Sequence, residues 1–177
     1  MVWGERSMAM GEIKNSQKII FARKININVG QNNKKTLAVF CSDGRFTGAI
    51  MDFVRGRLGA GNCDIIAIPG AIFFLLCKIS KFSRVAKWLV GFLVEHHSIN
   101  RLIVIQHRDC GLYNHLHGAK NLREISKIQI SDVEKLSTEI SSIGPNISFE
   151  GYFLDFTSNG TDDSGNQIFD IWISPVC

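Results

Sequence analysis

Short apolar runs alternate with amphipathic stretches along most of the chain. Thr36–Phe40 (TLAVF) is apolar and bounded by polar residues, which suits a strand buried on both faces. Ile50, Phe53, Val54 and Leu58 then recur at helical spacing, and Gly59-Ala60-Gly61 stops that helix. Asp64–Ile68 (DIIAI) predicts a second buried strand, closed by Pro69-Gly70. A longer helix follows, with Val85, Trp88, Leu89, Phe92, Leu93 and His96 on one face. Leu102–Ile105 (LIVI) predicts a third buried strand, which runs into Gln106-His107. Ser131 with Glu134 three residues on has the form of a capping box. The helix it would open carries Val133, Leu136 and Ile140 and ends at Gly144-Pro145. Ile147–Phe156 and Gln167–Ser174 alternate as strands do, around a turn-rich loop from Thr157 to Asn166.

The order is therefore strand, helix, strand, helix, strand, helix, strand, strand. Strands alternating with helices imply right-handed crossovers and an α/β fold. The expected architecture is a mostly parallel central sheet flanked by helices, with an antiparallel edge strand at the C-terminus. Residues 36–177 read as one α/β domain, and the polar, weakly patterned residues 1–35 as an N-terminal arm. In open α/β sheets, ligands sit beyond the carboxyl ends of the strands. Here those ends carry CSDGR, PG and HRDCG, so Cys, Asp, Arg and His converge on one crevice.

Composition narrows the classes. At 177 residues, 45% hydrophobic and 20% charged, the chain can bury a core and is not a disordered tail. Twenty basic against sixteen acidic residues leave a net charge of +4. That excess is small and scattered, so we expect no nucleic-acid partner. The longest uncharged apolar run, Ile65–Cys77, has thirteen residues and contains Pro69-Gly70. A bilayer needs about 20, so no membrane span is expected. Residues 1–10 include Glu5 and Arg6 and lack the apolar core of a signal segment, which points to the cytoplasm. Five cysteines, an odd number, do not read as a secreted disulfide framework.

Cys41, His107 and Cys110 are the sharpest chemical signal. Two cysteines and a histidine with an open fourth position form a known catalytic zinc set. His107 and Cys110 are three apart, so both can face one ion, and Cys41 comes from the neighbouring strand end. Taken alone, one cysteine plus H-x-x-C is also matched by core thiols and redox pairs. Asp43 and Arg45 add weight. In an extended segment, 41, 43 and 45 share a side, and an arginine fork can hold a carboxylate ionised. Asp43 could then accept a hydrogen bond from an attacking water. Released by Arg45, it could instead close the metal site.

Cys41-Ser-Asp43-Gly-Arg45 and His107-Arg-Asp-Cys110-Gly111, each at the end of a buried strand, resemble the β-class carbonic anhydrases. The strand plan and Gly151 in the last strand pair match as well, and the resemblance spans roughly Thr36 to Ser174. It implies Zn2+ on Cys41, His107 and Cys110, with Asp43 and Arg45 as the catalytic dyad. It also implies reversible hydration of CO2 to bicarbonate by a homodimer or tetramer. Two departures stand out. The Arg-Asn-Ala-Gly segment usual after the second strand reads Ala67-Ile68-Pro69-Gly70, and the glycine usual before the metal histidine is Gln106. They leave open CS2 or COS hydrolysis at the same zinc, or a non-catalytic zinc protein in which Asp43 closes the site.

Other readings fit less well. A phosphatase loop needs Cys-x5-Arg, a thioredoxin-like site needs Cys-x-x-Cys, and a dinucleotide site needs G-x-G-x-x-G after the first strand; none is present. Asp109 reads as a helix N-terminal carboxylate and His96 as a packed or capping residue. His115 and His117 read as solvated surface, and Cys63, Cys77 and Cys177 as structural or incidental. Ile72–Leu76 reads as core or oligomer interface.

Overall fold

The computed structural model describes residues 35–60, 63–77, 80–118, 120–144 and 146–177. The expected N-terminal arm lies outside the described residues up to position 34. Strand β1 (Thr36–Phe40) leads into helix α1 (Gly44–Asp52), which continues as a π turn over Phe53–Arg57. Then come β2 (Cys63–Ala67), the single-turn α2 (Phe73–Leu76) and α3 (Ser80–His96). After β3 (Arg101–His107) follow α4 (Gly111–Leu116), α5 (Leu122–Glu139), β4 (Ser148–Thr161) and β5 (Gln167–Pro175).

The strands form one sheet in the order β2-β1-β3-β4-β5. The first three pairings are parallel and β4–β5 is antiparallel, as the pattern predicts. From β1 the chain moves to one side to make β2 and returns to the other side to make β3. The crevice between the carboxyl ends of β1 and β3 is thus the point where strand order reverses.

Alternation along β1 and β3 sends side chains into two cores. Leu37, Val39, Leu102 and Val104 pack with Ile72, Leu75, Val90, Val133 and Leu136 on the side of α2, α3 and α5. Ala38, Phe40, Ile103 and Ile105 pack with Phe46, Ile50 and Val54 of α1 and its π turn on the other. Gly151 permits the close approach of α5 to β4, because a Cβ there would run into Val133.

Three local expectations change. The second strand begins one residue earlier than Asp64 and lies at the sheet edge, where only Ile66 is buried. Helix α5 starts at Leu122, not at Ser131. Asn121 and Glu124 make the capping box, each side chain bonding the other's backbone N–H. Ser131 lies inside that helix and is exposed, where a serine costs little. In α3 the predicted core face is mostly outward. Val85 and Trp88 are 63% and 65% exposed, and Phe82, Leu89 and Phe92 are also exposed. The helix instead packs through Ala86, Val90, Leu93 and Val94. Its apolar arc is wider than the sheet can cover, and the sheet takes the smaller aliphatic side.

Candidate metal centre

Cys41 is the first residue beyond β1, His107 the last of β3, and Cys110 the N-cap of α4. One sulfur from each cysteine and one ring nitrogen of His107 lie within 4.8 Å of one another. The two sulfurs are 3.8 Å apart. All three side chains are buried, Cys110 and His107 at 1% exposure or less. Phe46 lies against the imidazole, ring centres 5.0 Å apart. Phe73, Tyr113 and Ile125 enclose the sulfurs.

The imidazole is oriented by its neighbours. His107 Nδ1 donates to the Arg108 carbonyl at 2.8 Å, which leaves the lone pair on Nε2. Nε2 is buried and has no hydrogen-bond partner among the described residues. A buried polar atom without a partner is costly, and here it belongs to a group with two sulfurs. The thiols also act as a unit. The Cys110 S–H directed at Cys41 holds the Cys41 thiol well below its ordinary range against the opposing effect of burial. Cys110 is pushed up, first by that same bond and then by burial. Gly70 N–H adds a donor to Cys41 Sγ at 3.4 Å. One sulfur held as thiolate, a second that a bound cation would deprotonate and a free imidazole lone pair form a donor set that fits a metal ion.

Beside the cluster stands the predicted pair. Asp43 is the N-cap of α1, its carboxylate accepting from Arg45 N–H at 3.0 Å. Arg45 Nε lies 3.1 Å from both carboxylate oxygens, and Nη2 2.7 Å from Oδ2. This guanidinium, foremost, holds Asp43 below the usual carboxylate range.

Several participants were not read from the sequence. Arg45 Nη1 donates to Asp109 Oδ2 at 3.2 Å, and Asn114 Nδ2 holds Asp109 Oδ1 at 2.7 Å. Asp109 stands just before the N-cap of α4, at the helix N-terminus as read, and also braces the arginine; its φ of 60° lies in the left-handed region. Gln129 Nε2 holds the His107 carbonyl at 2.9 Å. Gln106 and Tyr113 are buried behind the cluster. No spacing rule marks these groups, because they meet only when α1, β3, α4 and α5 come together. Of the remaining histidines, His96 packs on Phe92 and His97 on Asp64, while His115 is exposed. Cys63, Cys77 and Cys177 stand outside the cluster.

An uncharacterised protein of Rickettsia conorii is 30% identical to the chain over 98 residues. That match covers 54% of this chain, and the chain spans about half the length of that relative, 52%. Among solved structures, a β-carbonic anhydrase of Aspergillus fumigatus is similar over 68% of this chain and 70% of its own, at 16% identity and a TM-score of 0.38. The β-carbonic anhydrase isoform I of Trichomonas vaginalis is similar over 86% of this chain and 87% of its own, at 13% identity and a TM-score of 0.42. A family model described as "Putative carbonic anhydrase" matches residues 31–159, well over half of the chain, and the chain belongs to that carbonic anhydrase family.

Proposed function

We propose that this protein is a zinc enzyme, a lyase that reversibly hydrates CO2 to bicarbonate, with Cys41, His107 and Cys110 as ligands and Asp43 and Arg45 as catalytic residues. The observation that carries the reading is the unpartnered His107 Nε2, buried with two sulfurs beside an Asp43 carboxylate engaged by Arg45. Two thiolates and an imidazole suit zinc among the common divalent ions. Bound there, zinc would act as a Lewis acid and bring the pKa of water to about 7.

The chain's own residues do the rest. His107 presents Nε2 because Arg108 and Gln129 fix its ring and backbone. Asp43 stays ionised, and its carboxylate accepts a hydrogen bond from the attacking water, orienting an oxygen lone pair toward the substrate carbon. Arg45, braced by Asp109, keeps that carboxylate in place. Three contacts from Arg45 to Asp43 favour this reading over one in which Asp43 closes the site. Phe46 and Phe73 supply apolar walls suited to a small uncharged substrate.

The exposed apolar side of α3 supports assembly as a homodimer or tetramer. Among the described residues no helix is long and apolar enough to cross a membrane. Cysteines that must stay reduced to bind metal suit the cytoplasm.

Metal content and CO2 hydration, measured on one preparation by elemental analysis and stopped-flow, test the proposal. One zinc per chain with hydration that rises with pH is expected. The altered Ala67-Ile68-Pro69-Gly70 segment favours one rival, CS2 or COS hydrolysis at the same site. Sulfide release without CO2 hydration would establish that rival instead.

A further inference from the structure

Gln106, one departure from the β-class pattern, touches Gly70, the glycine of the segment that holds the other. Gln106 Nε2 donates to the Gly70 carbonyl at 3.4 Å, and Gly70 N–H donates to Cys41 Sγ. Gln106 is fully buried, and burying a primary amide costs free energy unless its donors are met.

Its orientation is dictated from outside the site. Tyr113 Oη donates to Asp132 Oδ2 at 2.6 Å, so that oxygen can only accept from Gln106, which donates to it at 3.2 Å. Both neighbours of the amide therefore offer lone pairs, and Nε2 must face them. Oε1 then points away and has no partner among the described residues. The chain of bonds runs from the Asp132 carboxylate through the Tyr113 phenol and the Gln106 amide to Gly70.

Gly70 does not hold its conformation by itself. Its φ is 70°, and a Cβ would come within 2.6 Å of Leu112 Cδ2. Glycine suits this turn, and glycine is the residue least able to hold a conformation unaided.

We propose that Gln106 is a positioning residue of the metal centre: oriented by Tyr113 and Asp132, it fixes the Pro69-Gly70 turn so that Gly70 N–H stays on the Cys41 sulfur. The inference rests on the metal reading above. An N–H held on a ligating sulfur stabilises its charge and sets its direction, as outer-shell groups do at metal sites.

The test uses the full-length protein and compares Gln106→Met and Tyr113→Phe with wild type. Zinc affinity is read by competition with a chromophoric chelator. The sulfur environment is read from thiolate-to-cobalt charge-transfer absorption after Co2+ substitution. Gln106→Met is expected to weaken zinc binding about 10- to 100-fold and to shift the charge-transfer band. Tyr113→Phe keeps the ring and should move both readouts the same way, by less. A purely structural role would lower stability without moving the band. Zinc affinity within about twofold of wild type and an unshifted band in both variants would overturn the proposal. If Gln106→Met fails to fold, Tyr113→Phe decides by the same criteria. A wild-type protein that takes up no zinc would instead sink the metal reading, and this inference with it.

Discussion

Two regions of the molecule treat their side chains in opposite ways. At the carboxyl ends of β1 and β3, Cys41, His107 and Cys110 are buried, and hydrogen bonds fix the His107 ring, the Cys41 sulfur and the Asp43–Arg45 pair. On the outer side of α3, the large apolar side chains Phe82, Val85, Trp88, Leu89 and Phe92 are exposed. Burying these polar residues at the rim is tolerable because each has at least one hydrogen bond or a place in the Cys-His-Cys cluster. Exposing apolar groups on α3 is tolerable because the helix already packs through Ala86, Val90, Leu93 and Val94. Burial by itself therefore does not separate functional from structural positions. At the rim it accompanies a cluster of metal-ligating residue types, and on α3 its absence leaves a row of large apolar side chains in solvent.

The largest effect is expected at the proposed ligands. Cys110→Ser should lower zinc affinity at least about 100-fold and remove hydration activity, because each ligand carries several kcal/mol of the binding free energy. Chelator competition and stopped-flow hydration check it. Unchanged metal content would show that the buried cluster is only packing.

Asp43→Asn should retain the metal while hydration falls about 10²- to 10⁴-fold, the usual range for a positioned proton acceptor. Loss of metal along with activity would instead make Asp43 part of the binding set. Leu136→Ala, in the core beneath α5, should cost about 2–5 kcal/mol in denaturant unfolding. Trp88→Gln should stay within about 0.5 kcal/mol at low protein concentration. A Trp88→Gln effect as large as that of Leu136→Ala would show that the α3 face is buried after all, and sedimentation would then show the assembly falling apart.

The smallest effect concerns pH. Arg45 lowers the folded-state pKa of Asp43, so the pair adds stability above the ordinary carboxylate pKa of about 3.9. That increment is lost as pH falls through the lower folded-state value. Arg45→Ala should therefore be less stable than wild type near neutrality, and the gap should shrink in acid. Denaturant unfolding on both sides of the carboxylate range checks the sign; a gap that widens in acid contradicts it. The arginine is 41% exposed, so the pair is partly screened and the effect is small.

Much of this was legible in the sequence, unevenly. Apolar runs at β1 and β3 predict buried strands because those strands are interior to the sheet, with helices on both faces. The same reasoning fails for β2, an edge strand whose Ile65 is 44% exposed. A Ser-x-x-Glu spacing points to a helix start at Ser131, yet the spacing recurs as Asn121-x-x-Glu124, and that box opens the helix. A capping pattern is local chemistry available wherever the chain begins to turn, and it does not exclude the same residues from a helix interior.

Local spacing is enough to fix the chemistry held in short segments. Cys41, Asp43 and Arg45 lie within five residues and His107 and Cys110 within four, so a strand end and the helix start after it bring each set together. Other features arise where distant segments meet in the fold. Arg45 reaches Asp109 across 64 positions, Gln106 meets Gly70 across 36, and the sheet chooses which side of α3 to cover. The reason is physical. A spacing constrains neighbours along the chain, while the parallel pairing of β1 with β3 and the limited face of the sheet decide which distant groups share a hydrogen bond and which apolar surface stays in water.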